Sequence, residues 1–334
     1  MPLRLTVVAK TDKGLVRTGN EDYLHLDHEN RVYAVCDGMG GHQAGEVASM
    51  TASETMRTAF TEFYTGILDD PELKINRPLP ASGDLLLKSI HLANRAVYRK
   101  ALLDQSLAGM GTTVVAVAFE SDLLSIAHVG DSRAYRLGQK ALEPLTIDHS
   151  WVAEVAASQN LSREQAGTLV GKNIILRALG VRESVEVDYR LVKVQAADIF
   201  ILCSDGLCGY VDDDDIFNVA SRSRDNPERM ADDLIRMAND RGGADNVSVV
   251  VTEVKEVTAS SLPEMDVFTH DAESADALNA EDRWLDLFVA RHSEMAEQAS
   301  ESKERSRGSK ALLVGIFVVF AVVALVIIYF SASR

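Results

Sequence analysis

The sequence predicts an α+β fold with packed antiparallel sheets, followed by a tail that crosses a membrane. Three observations predict it. Apolar residues recur with period two near the start and again from Thr112 to Val254, with a helical period between them. Strands, two helices and then more strands do not give the βαβ alternation of a parallel sheet. Finally, Ala311 to Phe330 is 20 residues without a charge.

In chain order, Leu3 to Ala9 alternates and reads as an edge strand. Thr11 to Asp22 is polar, broken by Gly14 and Gly19, and carries Arg17, Asn20, Glu21 and Asp22. Tyr23 to Leu26 and Arg31 to Cys36 form a strand pair around His28-Glu29-Asn30. The second strand runs into Asp37-Gly38-Met39-Gly40-Gly41-His42. Gly45 to Tyr64 places Val47, Met50, Met56, Phe60 and Phe63 on one side of a helix. Pro71, Pro78 and Pro80 mark a loop, and Leu85 to Leu103 is a second amphipathic helix. Thr112 to Phe119, Leu123 to Val129 and Ala134 to Leu137 are strands. Trp151 to Ala157 and Arg163 to Leu169 are short helices in an insertion. Asp198 to Cys203 is a strand ending in Ser204-Asp205-Gly206, and Pro227 to Asn239 is a helix. Val247 to Val254, the terminal strand, follows Asp245-Asn246 directly.

Composition excludes some functions. The 334 residues carry a net charge of −16, which argues against nucleic acid as a partner, because phosphate neutralisation needs clustered Lys and Arg. Cys36, Cys203 and Cys208 are odd in number and lack metal-site spacing, so they read as reduced, buried thiols. Met1 to Lys10 lacks the apolar core of a secretory signal.

The chemistry lies in carboxylates at strand ends: Asp37-Gly38, Gly130-Asp131-Ser132, Asp205-Gly206 and Asp245-Asn246. Any one taken alone reads as an ordinary turn, and it is the four together that point to a site. If the strands form two packed sheets, these tips converge at one edge. Converging carboxylates repel and raise each other's pKa values, and divalent cations relieve that conflict. Carboxylate and backbone carbonyl are the donors that Mg²⁺ and Mn²⁺ prefer, and two such ions support in-line displacement at phosphorus. Arg17 is then a fork for a phosphoryl group, where the plain alternative is a surface arginine.

The order of these motifs, with Gly111-Thr112-Thr113 and Gly130-Asp131-Ser132-Arg133 between them, resembles the bacterial metal-dependent PPM/PP2C protein serine/threonine phosphatases over about residues 3–254. The resemblance implies a β-sandwich flanked by helices, with two Mn²⁺ or Mg²⁺ ions and room for a third. It implies that Asp37 bridges the two ions and Gly38 offers a carbonyl to one. Asp205 and Asp245 complete the other, and Asp131 with Asp205 holds the third. Arg17 matches the phosphate-binding arginine and Asp22 a residue that orients the attacking water. Glu21 and Asn246 are expected to support these groups. A flap subdomain is expected within 143–194. Animal relatives carry a histidine proposed as general acid where this chain has Met39, which has no proton to give. His42 does not inherit that role.

After residue 254, residues 255–310 read as an acidic, polar, mobile linker with one amphipathic helix over 281–296. Residues 311–330 read as a transmembrane helix, about 30 Å long, before the tail 331–334. A buried core helix is the alternative. Lys303, Arg305, Arg307 and Lys310 precede the span and only Arg334 follows it, which places the catalytic domain in the cytoplasm. The expected partners are phosphorylated proteins, including membrane-bound serine/threonine kinases, together with membrane lipid. The expected activity is hydrolysis of phosphoserine and phosphothreonine on proteins. A phosphatase dedicated to one phosphoprotein and an inactive membrane-tethered binding module are the alternatives.

Overall fold

The computed structural model describes residues 3–41, 43–169, 174–291 and 293. Its elements are β1 (Arg4–Asp12), β2 (Asp22–Asp27), β3 (Val32–Met39), α1 (Ala44–Thr61), α2 (Tyr64–Asp69), α3 (Ala81–Leu103), β4 (Gly111–Thr112), β5 (Val114–Glu120), β6 (Leu123–Val129), β7 (Arg133–Leu137), β8 (Leu142–Pro144), α4 (Trp151–Gln159), α5 (Arg163–Leu169), β9 (Val187–Lys193), β10 (Ile199–Cys203), α6 (Asp205–Cys208), α7 (Asp213–Arg222), α8 (Pro227–Asp240), β11 (Val247–Glu256) and β12 (Met265–His270).

The strands make two sheets, and every pairing is antiparallel. One runs β1-β11-β10-β7-β8 and the other β12-β9-β6-β5-β3-β2, with β4 on the end of β3. Alternation explains how they pack. Tyr33, Val35, Val115, Val117, Phe119, Leu124 and Ile126 of the longer sheet meet Ala134, Phe200, Leu202, Val250 and Val254 of the shorter one. Between them on β5, Ala116 and Ala118 are buried and small, so α3 can approach the outer face. The shorter sheet's outer face carries Tyr135, Ile201, Val249 and Val251, covered by Ile216 of α7 and Met230 and Leu234 of α8. The order is helices, sheet, sheet, helices, as the sequence suggested.

Several expectations are corrected. Val187–Lys193 lies in the range read as the flap, yet it is a central strand between β6 and β12. Val247–Glu256 is not the terminal strand, because β12 follows it. The first part of the expected mobile linker is ordered: β12 pairs with β9, and the helix read as starting at 281 begins at residue 275. The reason is anchorage that composition does not reveal. Lys193 Nζ donates to the Ser260 carbonyl at 3.0 Å, Arg77 stacks 4.0 Å from the Phe268 ring, and buried His91 meets His270 at 2.9 Å. The compact unit that holds both sheets runs from Met1 to Asp282.

Among the described residues, no helix is long and apolar enough to cross a membrane. His42, Met295 and the stretch 311–330 lie outside the described residues.

Candidate active site

The expected aspartates come together at one edge of the sandwich because that is where both sheets release their chains. Asp37 follows Tyr33 and Val35 on the inward face of β3, so the carboxylate continues an apolar row. The chain does not turn there: β3 continues through Asp37-Gly38-Met39, and Gly38 pairs with Thr112. Gly38 is required by the chain's own backbone, since a Cβ would lie 2.1 Å from the Gly45 carbonyl oxygen and 2.6 Å from that of Glu21. Asp22 sits directly opposite Asp37 in the β2–β3 register. Asp131 lies where the chain crosses from β6 in one sheet to β7 in the other. Asp205 starts α6 just past β10, and Asp245 stands two residues before β11.

Side-chain hydroxyls join the sheets behind the carboxylates. Ser204 Oγ donates to Asp22 Oδ2 at 2.8 Å and accepts from the Ser248 N–H at 2.9 Å. Thr113 and Ser132 share a 2.7 Å hydroxyl contact. Asn246 fastens the loop bearing Arg17: its Nδ2 donates to the carbonyls of Lys13 and Gly19, and its Oδ1 accepts from the Glu21 N–H at 2.8 Å. The Glu21 carbonyl in turn accepts from the Gly38 N–H and from Ser49 Oγ. The Glu21 backbone and the Asn246 side chain thus fasten the Arg17 loop to the strand ends. Sequence reading missed Ser204 and Ser248 as partners of Asp22; the hydroxyl in Ser204-Asp205-Gly206 was the available signal.

The electrostatics are unfavourable to an uncompensated site. Burial first, and the charges of Asp22, Asp205 and Asp131 next, push the Asp37 carboxyl far above the usual range. Asp205 is raised by burial and by Asp131 and Asp245, and Asp22 by burial against the pull of the serine hydroxyls. Asp131 is raised by burial as well. Among the described residues, no lysine or arginine forms an ion pair with any of these four. Asp22 Oδ1 and Asp131 Oδ1 are buried without a hydrogen-bond partner. An all-oxygen set with orphaned, mutually repelling carboxylates fits hard divalent cations.

Arg17 lies at the mouth of this edge. Its Nη2 donates to Asp245 Oδ2 at 2.8 Å, with the arginine side chain about half exposed. A cleft of about 510 Å³ opens there, lined by Arg17, Asn20, Glu21, Gly40, Glu46 and Asn246 among others. A fork at a cleft beside buried acids is suited to an anionic group arriving from solvent.

A second cluster was not expected: His128, His149 and Asp188 bring their ligand atoms within 4.8 Å of one another. It lies behind the β6–β7 turn, where His149 contacts Gly130. Its signal was absent from local spacing, because the three residues come from separate stretches.

Known proteins resemble this chain in sequence and fold. Serine/threonine phosphatase stp of Listeria monocytogenes is 38% identical over 248 residues, covering 73% of this chain and 94% of that protein. Serine/threonine protein phosphatase PstP of Mycobacterium tuberculosis is 35% identical over 257 residues, covering 75% of this chain and 45% of that protein. The crystal structure of the PstP catalytic domain in complex with two manganese ions superposes with a TM-score of 0.62 at 34% identity, covering 76% of this chain and all of that one. The phosphatase MsPP of Mycobacterium smegmatis, in complex with cacodylate, gives a TM-score of 0.61 at 30% identity, covering 74% of this chain and 97% of that one. Since the description of protein phosphatase 2C matches residues 16–251, a stretch that takes in β2 to β10 and every aspartate of the edge, the chain belongs to the protein phosphatase 2C family.

Proposed function

We propose that this chain hydrolyses phosphoserine and phosphothreonine on proteins, using divalent manganese or magnesium held by Asp37, Asp131, Asp205, Asp245 and the Gly38 carbonyl. One observation carries the reading: the four buried aspartates Asp22, Asp37, Asp131 and Asp205 gather at an edge where, among the described residues, no lysine or arginine pairs with them. The ions supply Lewis-acid polarisation of the phosphoryl group and activation of water. The residues do the rest. Arg17 receives the phosphoryl oxygens, exchanging the Asp245 carboxylate for the anionic phosphoryl group. Asp22, fixed by Ser204, orients the attacking water. Asn246 keeps the Arg17 loop in register with Asp245. Met39 has no proton to offer the leaving alkoxide.

The test is turnover of p-nitrophenyl phosphate and of a phosphothreonine peptide by the full chain. Activity is expected with manganese or magnesium and lost in chelator. Hydrolysis that persists in chelator would overturn the metal assignment, and turnover of the small ester alone would overturn the protein substrate.

The span 311–330 anchors the enzyme to a membrane, with its catalytic unit on the cytoplasmic side. The support is the uncharged run and the four basic residues Lys303, Arg305, Arg307 and Lys310 before it. Phosphoproteins at that surface, among them receptor-type serine/threonine kinases, are its substrates. The protein should stay in the membrane pellet after carbonate washing. An N-terminal tag should be digested in inside-out vesicles. Release by carbonate excludes the span, and protection of the tag reverses the orientation. Phosphoproteomics of a deletion strain separates broad action from service to one partner.

A further inference from the structure

His149 sits outside the carboxylate edge but grips the turn that carries Asp131. Its N–H donates to the Gly130 carbonyl at 2.9 Å, and the Gly130 N–H donates to His149 Nδ1 at 3.1 Å. Gly130 is thus held at both backbone groups by one residue. The turn is tight for another reason: Gly130 has φ of +108°, and a Cβ there would meet Thr113 at 2.6 Å. Thr113 also holds Ser132, so both neighbours of Asp131 are pinned while Asp131 Oδ1 has no partner.

The ring itself is held from behind. Because Nδ1 accepts, the ring proton sits on Nε2, which faces Asp188 Oδ2 at 3.3 Å. Asp188 Oδ1 accepts from Arg177 Nη1 at 3.1 Å and from Thr269 Oγ1 at 2.7 Å. Thr269 lies opposite Asp188 in the β12–β9 register. His128 stacks on the other ring face, its centroid 4.5 Å away, and donates from Nε2 to the Ile147 carbonyl at 2.8 Å.

Spacing alone would make this group a metal site, and two observations refuse it. Ligation through His149 Nε2 would move the ring proton to Nδ1, against the Gly130 N–H. The Arg177 guanidinium also stands 3.3 Å from that same nitrogen, where it would repel a cation.

We propose that His149 is a positioning residue for Asp131, with Asp188 and Thr269 holding its ring. Strand β12, which lies beyond the matched family region of 16–251, thereby becomes part of the machinery that aims an active-site carboxylate. The proposal rests on Asp131 being a metal ligand.

The test uses the full chain, with manganese titrated by electron paramagnetic resonance beside kcat and KM for p-nitrophenyl phosphate. His149→Asn puts an amide oxygen near the place of Nδ1 and keeps the acceptor for Gly130. His149→Gln puts its amide near Nε2, keeping Asp188 and losing Gly130. Asp131→Asn is the reference. Asp131→Asn and His149→Gln should each weaken the loosest manganese step by about tenfold or more and lower kcat, with KM within about twofold. His149→Asn should stay within about threefold of wild type, and Thr269→Val should weaken the same step by about two- to threefold. Wild-type binding in His149→Gln, with Asp131→Asn impaired, overturns the positioning role. Wild-type binding in Asp131→Asn overturns the underlying site assignment instead. Equal damage in both His149 variants reduces the residue to a structural one. An ion lost in both His149 variants but kept in Asp131→Asn makes the cluster a metal site after all. Unchanged binding in Thr269→Val removes β12 from the proposal.

Discussion

Asp282 and Asp37 are both aspartates on packed surfaces, and their surroundings treat them oppositely. Asp282 receives a two-pronged contact from Arg95, Nε at 2.8 Å and Nη2 at 2.7 Å, while Arg95 Nη1 reaches Glu183 at 2.6 Å. That contact holds the Asp282 carboxyl below its usual range. Asp37 has burial and three other aspartates around it, and its carboxyl is pushed far up. The C-terminal clasp is electrostatically complete within the chain, whereas the carboxylate edge is complete only with ions from outside. Such incompleteness is a mark of function rather than of folding.

That contrast can be broken by substitution. The largest effect belongs to Asp37→Asn, which keeps the shape and removes a charge shared by the ions. A loss of about 10²–10³-fold in kcat/KM is expected, from several kcal/mol of lost charge stabilisation. Thermal stability without metal should rise, because repulsion is relieved. A variant as active as wild type would place the metal elsewhere. Next comes Arg17→Lys, which keeps the charge at the mouth but not the fork. KM for a phosphopeptide should rise about tenfold while manganese affinity holds. Unchanged KM would leave Arg17 as the partner of Asp245 and nothing more.

The smallest effect sharpens the other side. Glu281 neighbours Asp282 but is buried with Oε1 unpartnered, and burial pushes its carboxyl up to about 8. The folded protein therefore holds that proton where the unfolded chain releases it. The contribution to stability is complete below the unfolded value near 4.5 and is lost as pH rises towards about 8. Glu281→Gln should remove this slope, raising Tm at pH 8.5 by about 2–4 °C for each kcal/mol regained and changing little at pH 5. A gain equal at both pH values would mean that Glu281 does not titrate in this way.

Where one strand or helix carries its own pattern, the sequence was legible. The strands around Asp37, the helix α1 and the aspartates themselves were read from runs and motifs. The helix α3 starts at Ala81, earlier than its apolar period suggests, because the Pro80 carbonyl accepts from the Gly83 and Asp84 N–H groups and Gly83 sits close against Tyr189 and Ser125. The helix α7 was not expected, since its first turn is Asp213, Asp214 and Asp215. Those acids read as loop, yet they complement the N-terminal end of the dipole, and Asp212 caps the Asp215 N–H. β9 was hidden inside an insertion and β12 inside a polar stretch, because β9 is a strand by pairing with distant β6, and β12 by pairing with the edge of β9. The same holds for the site. Asp37 and Asp205 announce themselves beside glycine, but the roles of Ser204, Ser248 and His149 depend on partners tens to over a hundred residues away.

The pairing of β12 with β9 bears on how this protein can be cut. The family boundary at residue 251 suggests a natural end for an isolated catalytic fragment. Such a fragment would leave β9 as a bare rim, its free N–H and C=O groups facing solvent beside the uncovered ring of Tyr189. Open rims of that kind recruit strands from other molecules. A fragment ending near 254 would tend to self-associate through β9, and one ending past Asp282 carries its own cover. Solubility at this rim is supplied by the very segment that composition marks as dispensable.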